Sequence, residues 1–392
     1  MTKGLGAMLV LGLVSWSVCL AAAEDDTVWH GFVAQGVMRA QDSNFVNDSG
    51  KLSTNLTEVG LNFSHGLSNN LRVAGQAVYL DGGNRYPQGA RVDYLFADWT
   101  LVQTADWQAN MHLGRFKNYH WLYSSTRDVP HTRPSIVLPQ SIYFDVFRDL
   151  IVGNDGLALV LNLDNSMGEW EAYWSYGSTP VDQEQMKNFL GKEANGDLEQ
   201  DFVHQLSVYF RPRNYNLQMG LVLLDSDFTY RSESADFFLD GKGQSQRTML
   251  NFRYNAEHWE IAAELIQERA VFRGLIHPAY VRDAKSQGGF VQGRAFINKD
   301  ITAMVRLDIL DMDKDDRGGE KFEQETGIPQ RFAYMDSLTL GLTWKLAPQW
   351  KLQAEYHKFK GTSRLSPIFL PDVQLNDQKY WDMWAVQLMY WF

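Results

Sequence analysis

The chain has 392 residues, 45% apolar, 21% charged and 13% aromatic, with a formal net charge of −11. This is the composition of a folded chain, neither disordered nor collagen-like. The acidic balance argues against a nucleic-acid partner, which leaves a basic footprint.

Residues 1–26, MTKGLGAMLVLGLVSWSVCLAAAEDD, open with Lys3, continue through an apolar run and reach Ala21-Ala22-Ala23 before Glu24. That is the layout of a secretory signal peptide, 1–23, followed by a single domain, 24–392. A retained anchor is the alternative, because the run is nearly long enough to span a bilayer. The alanine triplet and the acids after it favour cleavage. A lipid anchor on Cys19 is disfavoured by the bulky Val18 before it. Cys19 is the only cysteine, so the exported chain is expected to lack disulfides, thiolate catalysis and cysteine–zinc sites. After residue 24 no run of about 18 apolar residues exists, so a helical span is excluded. A β-barrel needs only every second residue apolar, which suits a mean hydropathy of −0.33.

Period-two apolarity predicts an opening strand near 28–39 and then hairpins. Their arms lie near 56–65 and 71–80, 92–102 and 107–115, 156–163 and 170–177, 202–210 and 217–225. Further pairs follow near 246–254 and 259–268, 287–297 and 301–310, and 337–346 and 350–359, before a closing strand near 380–392. The clearest is SLTLGLTWKL: Leu338, Leu340, Leu342, Trp344 and Leu346 share one face, and Thr339, Gly341, Thr343 and Lys345 the other. Within hairpins the turns are short. Between hairpins run polar connections near 40–55, 81–91, 117–150, 178–200, 226–245, 270–286, 311–336 and 361–378. The fold class is therefore all-β: an antiparallel transmembrane barrel of about sixteen strands, with short periplasmic turns and long extracellular loops.

Charge segregation sharpens this. The outward faces of the clear strands carry no charge: Val59, Leu61, Phe63; Leu95, Ala97, Trp99, Leu101; Trp259, Ile261, Ala263, Leu265; Ile301, Ala303, Val305, Leu307, Ile309. Assigned to the lumen are Glu58, Arg72, Asp98, Glu171, Arg247, Arg253, Glu260, Glu264, Arg294, Arg306, Asp308, Lys345, Lys351, Glu355 and Asp382. An Arg or Lys at the lipid midplane costs about 2–4 kcal/mol, so a bilayer enforces such a division. A water-soluble sandwich also alternates. It does not place Trp107, Trp170, Tyr254, Trp259 and Trp350 at strand ends beside the short turns, as an interfacial girdle does.

Sixteen strands leave an aqueous lumen, so whatever obstructs it sets function. The connection 117–150 is the third long one. It is too aromatic for disorder and is stiffened by Pro130, Pro134 and Pro139. GRFK at 114–117 and TRDVPHTRPSIVLPQSIY at 126–143 resemble the strand-to-constriction segment of the sixteen-stranded porins of proteobacterial outer membranes. The final residues, with Tyr390 and Phe392, resemble the signal read by the barrel-assembly machinery. The resemblance implies an inward-folded third loop, a homotrimer and passive diffusion of small hydrophilic solutes through the outer membrane of a Gram-negative bacterium, among lipopolysaccharide. Candidate constriction residues are then Arg127, Asp128, His131, Arg133, Asp145, Arg148 and Asp149, because fixed charges in a narrow neck act strongly on a solute. The loop carries as many bases as acids, unlike the acidic constrictions of general porins, so cation preference does not follow.

On the wall, Arg247, Arg253, Arg294 and Arg306 could face that loop, or could pair with Glu260, Glu264 and Asp308. Both arrangements stay open at this level. The stretch DMDKDDRGGE at 311–320 fails the EF-hand test, with Asp316 where Gly is required and Phe322 where Glu belongs; a solvated acidic loop is expected. No catalytic motif, metal set or cofactor cradle is found. The alternatives are a phospholipase-like barrel hydrolase, for which His112, His204 and His357 are the lumen-facing candidates, and a structural or adhesin barrel.

Overall fold

The computed structural model describes residues 27–392 apart from 120–121, 146–147, 149–152, 214–215, 366 and 368. The expected signal segment and Asp149 lie outside the described residues.

Among the described residues sixteen strands form one closed antiparallel barrel. They are β1 (Thr27–Gln41), β2 (Thr57–Ser68), β3 (Leu71–Asp81), β4 (Gly89–Gln103), β5 (Trp107–Lys117), β6 (Gly153–Asn165), β7 (Gly168–Ser178) and β8 (Asp197–Pro212). The second half comprises β9 (Leu217–Arg231), β10 (Gly241–Asn255), β11 (Trp259–Arg273), β12 (Val281–Phe296), β13 (Ile301–Asp311), β14 (Tyr334–Ala347), β15 (Trp350–Gly361) and β16 (Tyr380–Trp391). Each strand pairs with its neighbours in sequence, and β1 closes on β16 with Phe32 opposite Trp391. Closure leaves no unpaired edge, which is the condition for sheet to cross a membrane. The seal continues past the last strand. Gly31 N donates to Phe392 O at 3.1 Å, and Phe392 N to Gly31 O at 3.0 Å. The Phe392 ring lies over Gly31, where a Cβ would come within 2.4 Å of it.

The outward face reads as the alternation requires. Leu61, Leu95, Leu221, Leu250, Leu265, Leu307 and Leu340 are exposed to the surroundings, whereas Glu58, Glu264, Arg306, Glu355 and Gln387 turn inward and are buried. At the short-turn end aromatic rings pair across strands: Trp170 stacks on Phe210, Tyr254 lies against Trp259, and Trp350 against Tyr390. Rings there have one apolar and one wet end to satisfy.

Three sequence expectations need correction. Asp382 shares the parity of Trp384 and faces outward, opposite Lys358 at the rim near the start of β16, where the sheet has left the apolar belt. His204 also faces outward, accepting from Trp174 Nε1 at 2.7 Å; Gln205, Ser207 and Tyr209 are the lumen-facing residues there. The connections expected over 226–245 and 270–286 shrink to 232–240 and 274–280. Above the belt the outward side chains turn polar, among them Lys242, Arg269 and Lys285. Apolar alternation fades there, while the backbone ladder continues.

Among the described residues two short α-helices sit in the long connections. In α1 (Gln183–Leu190), Asp182 accepts from Gln185 N at 2.8 Å and its own N donates to the Gln185 side chain at 2.9 Å. This reciprocal cap satisfies donors a helix start leaves free. At α2 (Glu320–Thr326), the Asp316 carboxylate accepts from Lys321 N and Phe322 N, so part of the acidic 311–320 stretch is used as a local brace.

Candidate functional site

The connection after β5 begins beyond Gly114, whose φ of 121° and close approach to the Leu95 carbonyl exclude a side chain. Although β5 and β6 are neighbours, the residues between them reach the inward faces of strands on the opposite side of the barrel. Leu122 N (2.8 Å) and Tyr143 Oη (2.6 Å) both donate to Glu264 on β11. Ser141 N donates to Asp308 on β13 at 3.3 Å. Ile136 N and Val137 N donate to Glu355 on β15, the second at 3.2 Å. Arg306 donates to Ser135 Oγ at 2.9 Å and to the Val137 carbonyl at 2.8 Å. Lys351 donates to the carbonyls of His131 and Arg133 at 2.8 and 3.2 Å. Prolines explain the geometry. With φ fixed and N–H groups removed, the 130–139 segment forms no ladder of its own, and its remaining donors and acceptors turn to wall side chains.

The described charges of the connection are spent in ion pairs. Arg127 meets Asp145 at 2.7 Å, and Asp145 also meets Arg85 from the second long connection at 2.8 Å. Arg133 meets Glu58 on β2 at 2.7 Å, with Gln387 on β16 donating to the same carboxylate oxygen at 3.2 Å. Asp128 is paired with Lys117 and Arg148, and Lys117 also with Asp93. All five charged residues of the connection in these pairs are buried. Isolated charges at such depth would be prohibitively costly, and pairing is what makes their burial tolerable. His131 is placed differently: its ring stacks on Trp391 at 4.6 Å between centroids and meets the edge of Phe32. Burial first, and then the nearby Lys351 and Arg133, push its pKa down to about 4.

The wall divides between the two arrangements the sequence left open. Arg306, Glu264 and Asp308 hold the connection. Arg294 instead pairs with Glu260 at 3.2 Å, Arg247 with Glu268 at 2.9 Å, and Arg253 donates to Gln218 at 2.7 Å. Sequence reasoning put Glu58, Lys351 and Glu355 on the lumen face without giving them a role, and passed over Arg85. For the first three the signal was inward parity; for Arg85, on a surface connection, there was none. Among the described residues no group of three or more His, Cys, Asp or Glu is placed to hold a metal ion.

No protein-family model matches the chain, and no curated protein matches it in sequence. Solved structures do match in fold. The outer-membrane expressed OmpT of Vibrio cholerae superimposes with a TM-score of 0.57 at 11% identity, covering 95% of this chain and 99% of that one. An anion-selective porin from Comamonas acidovorans gives 0.55 at 14% identity, over 93% and 99% of the two chains. The outer-membrane channel DcaP of Acinetobacter baumannii gives 0.55 at 9% identity, over 93% and 97%. At such identities the likeness is one of fold: a sixteen-stranded barrel of the kind found in outer membranes.

Proposed function

We propose that this chain is an outer-membrane porin, a passive diffusion channel for small hydrophilic solutes whose lumen is narrowed by an inward-folded segment at 117–150. One observation carries the reading. A connection between adjacent strands is tied to β11, β13 and β15 inside a closed barrel whose outer face is apolar. Folds of this kind with a named channel role among the structural neighbours support it. Transport then needs no catalytic step, cofactor or metal. Solute size is set by the space beside the anchored segment. Charge bias is weak, because Arg127, Asp128, Arg133, Asp145 and Arg148 of that segment are held in buried ion pairs rather than facing the water.

The same reading places the protein in the outer membrane of a Gram-negative bacterium, in contact with lipopolysaccharide. It takes Tyr390 and the exposed Phe392 as the label for the barrel-assembly machinery and expects a homotrimer, as in the trimer form of an in-vitro folded OmpT of Vibrio cholerae. Purified protein in a planar bilayer should give ohmic current steps, and liposomes containing it should swell in small sugars. Removing 122–145 should enlarge the steps. Silence in both assays would overturn the channel reading.

A further inference from the structure

A sixteen-stranded barrel encloses more room than its own side chains fill, so a channel open at rest keeps water against its inner wall at every height. Here the wall meets water at two levels. Towards the short turns Arg72 is exposed, and Asp98 and His112 are half-buried. Towards the opposite mouth Arg282 and Ser286 on β12 are half-buried. Between these levels every strand turns at least one buried side chain inward, Met38, Glu58, Phe116, Ser175, Glu264 and Ala385 among them. On β4 it is the Asp93 carboxylate, 7% exposed. The 117–150 connection lies across this ring, and its residues 133–145 are all buried. Among the described residues no strand offers a solute a wet wall from one mouth to the other.

The two sides of the connection are fastened differently. Towards β11, β13 and β15 it is held by the backbone hydrogen bonds already described and by apolar packing. Leu138, Ile142 and Tyr143 share a buried cluster with Met249 and Phe290, and Ile136 and Val137 share another with Met38 and Met383. Towards β4 and β5, charges sit at the centre of the contact. The ladder between β3 and β4 slips there: Gln76 stands opposite Tyr94 and Ala77 opposite Val92, so Asp93 is the extra residue of a bulge. A bulge re-aims a side chain. That of Asp93 accepts from Gln76 at 2.7 Å and meets Lys117, the last residue of β5. Lys117 also meets Asp128 of the connection, and Asp128 meets Arg148, whose guanidinium lies 4.8 Å from the centre of the Tyr86 ring. The wall and the connection thus each contribute one acid and one base. Joined, the four groups are buried without net charge; parted, they leave two matched pairs, so neither state strands a charge.

We infer that the barrel is a gated channel, shut in this structure, and that Asp93, Lys117, Asp128 and Arg148 form the latch that keeps the connection across the lumen. Opening breaks the contact between Lys117 and Asp128. The connection then swings away from β4 and β5 while its attachments to β11, β13 and β15 hold. A water path along β4 and β5 joins the level of Asp98 and His112 to the opposite mouth. The inference rests on the channel reading and adds to it a closed resting state, with these four side chains setting the fraction of time spent open.

The test is single-channel recording of the purified protein in planar bilayers. The wild type should give a closed record broken by brief openings. Lys117→Met leaves Asp93 buried without its cation in the shut state and hydrated in the open one; Asp128→Asn does the same to Arg148. Each should raise the ratio of open to closed time at least about a hundredfold, since a stranded buried charge is worth that much. The double variant Asp93→Asn with Lys117→Met removes the wall pair whole, leaves Asp128 and Arg148 matched, and should return most of the way to the wild type. Loss of packing alone would make the double variant the more open one. Arg269→Gln, which breaks an exposed pair on the outer face, should leave the record unchanged. A wild-type record open most of the time overturns the proposal. So does a ratio within about threefold of wild type in both single variants with native heat-modifiable gel mobility, or a double variant more open than either. Removal of 122–145 separates the two readings: steady current there without gain in the latch variants refutes the latch alone, and silence there and in every variant refutes the channel.

Discussion

Glu355 is the residue whose loss should tell most about how the 117–150 connection is held. Its carboxylate accepts from Ile136 N and Val137 N, both on a segment buried to 1% exposure, and lies 3.1 Å from His357 Nε2. Glu355→Ala removes the acceptor for two backbone donors in a place where the docked loop offers no water. Each orphaned donor costs about 1–3 kcal/mol, so the docked state should lose roughly 3 kcal/mol, about 150-fold in its equilibrium with an undocked one. Glu355→Gln keeps one accepting oxygen and turns the other into a donor, and should fall between. The assay is thiol labelling of Val137→Cys in proteoliposomes. The sole native cysteine lies at position 19, within the expected signal segment. A buried thiol reacts only when the loop opens, so the labelling rate reports the opening free energy. A rate increase of about a hundredfold with unchanged barrel melting supports the reasoning; a change under about threefold would refute it.

Other expectations follow from the same geometry. His131 has its pKa pushed down to about 4 against an ordinary value near 6.5. Between these values the undocked loop binds more protons, so docking is strongest above pH 6.5 and weakens as pH falls towards 4. Labelling of Val137→Cys across that window should show the step, and His131→Asn should abolish it. Arg133→Met strands Glu58, which retains only Gln387 among the partners described, and should shift permeability towards cations; reversal potential in a salt gradient measures this. Gly31→Val forces the Phe392 ring away from the seam and should cost about 1–3 kcal/mol, read as a lower temperature for loss of the folded band on heated gels. Arg306→Met combined with Glu355→Leu should destabilise less than the two changes summed, because both side chains serve the same three residues, 135–137.

The strands were legible because their cause is local. A segment with lipid on one side and the lumen on the other must alternate, and SLTLGLTWKL does so in ten residues. Where that cause weakens, so does the reading. The polar upper reaches of β9 to β12 looked like loop, since alternation of apolar residues stops before the ladder does. His204 and Asp382 show the limit of that reading: in β8 the inward set is Gln205, Ser207 and Tyr209, one residue off the parity expected for His204, and Asp382 shares the outward parity of Trp384 at the rim.

The sequence by itself determined the period, the number of crossings, the alternation of short turns with long connections and the inward set of charges. It also marked 117–150 as a segment stiffened by prolines and too aromatic for disorder. Only the tertiary structure decided which wall charge meets which loop atom. Ile136 and Glu355 are 219 residues apart, and Arg85 and Asp145 come from two different connections. Parity says that a side chain faces the lumen, but its height on a tilted strand and the path of the chain across the barrel set its partner. The same limit hid the apolar surface under α1, where Val203, Leu224, Phe228 and Phe272 of three strands meet Phe189 of the helix. Each of these inward residues looks unremarkable in its own strand, and they come together only when the closed sheet brings them to one side.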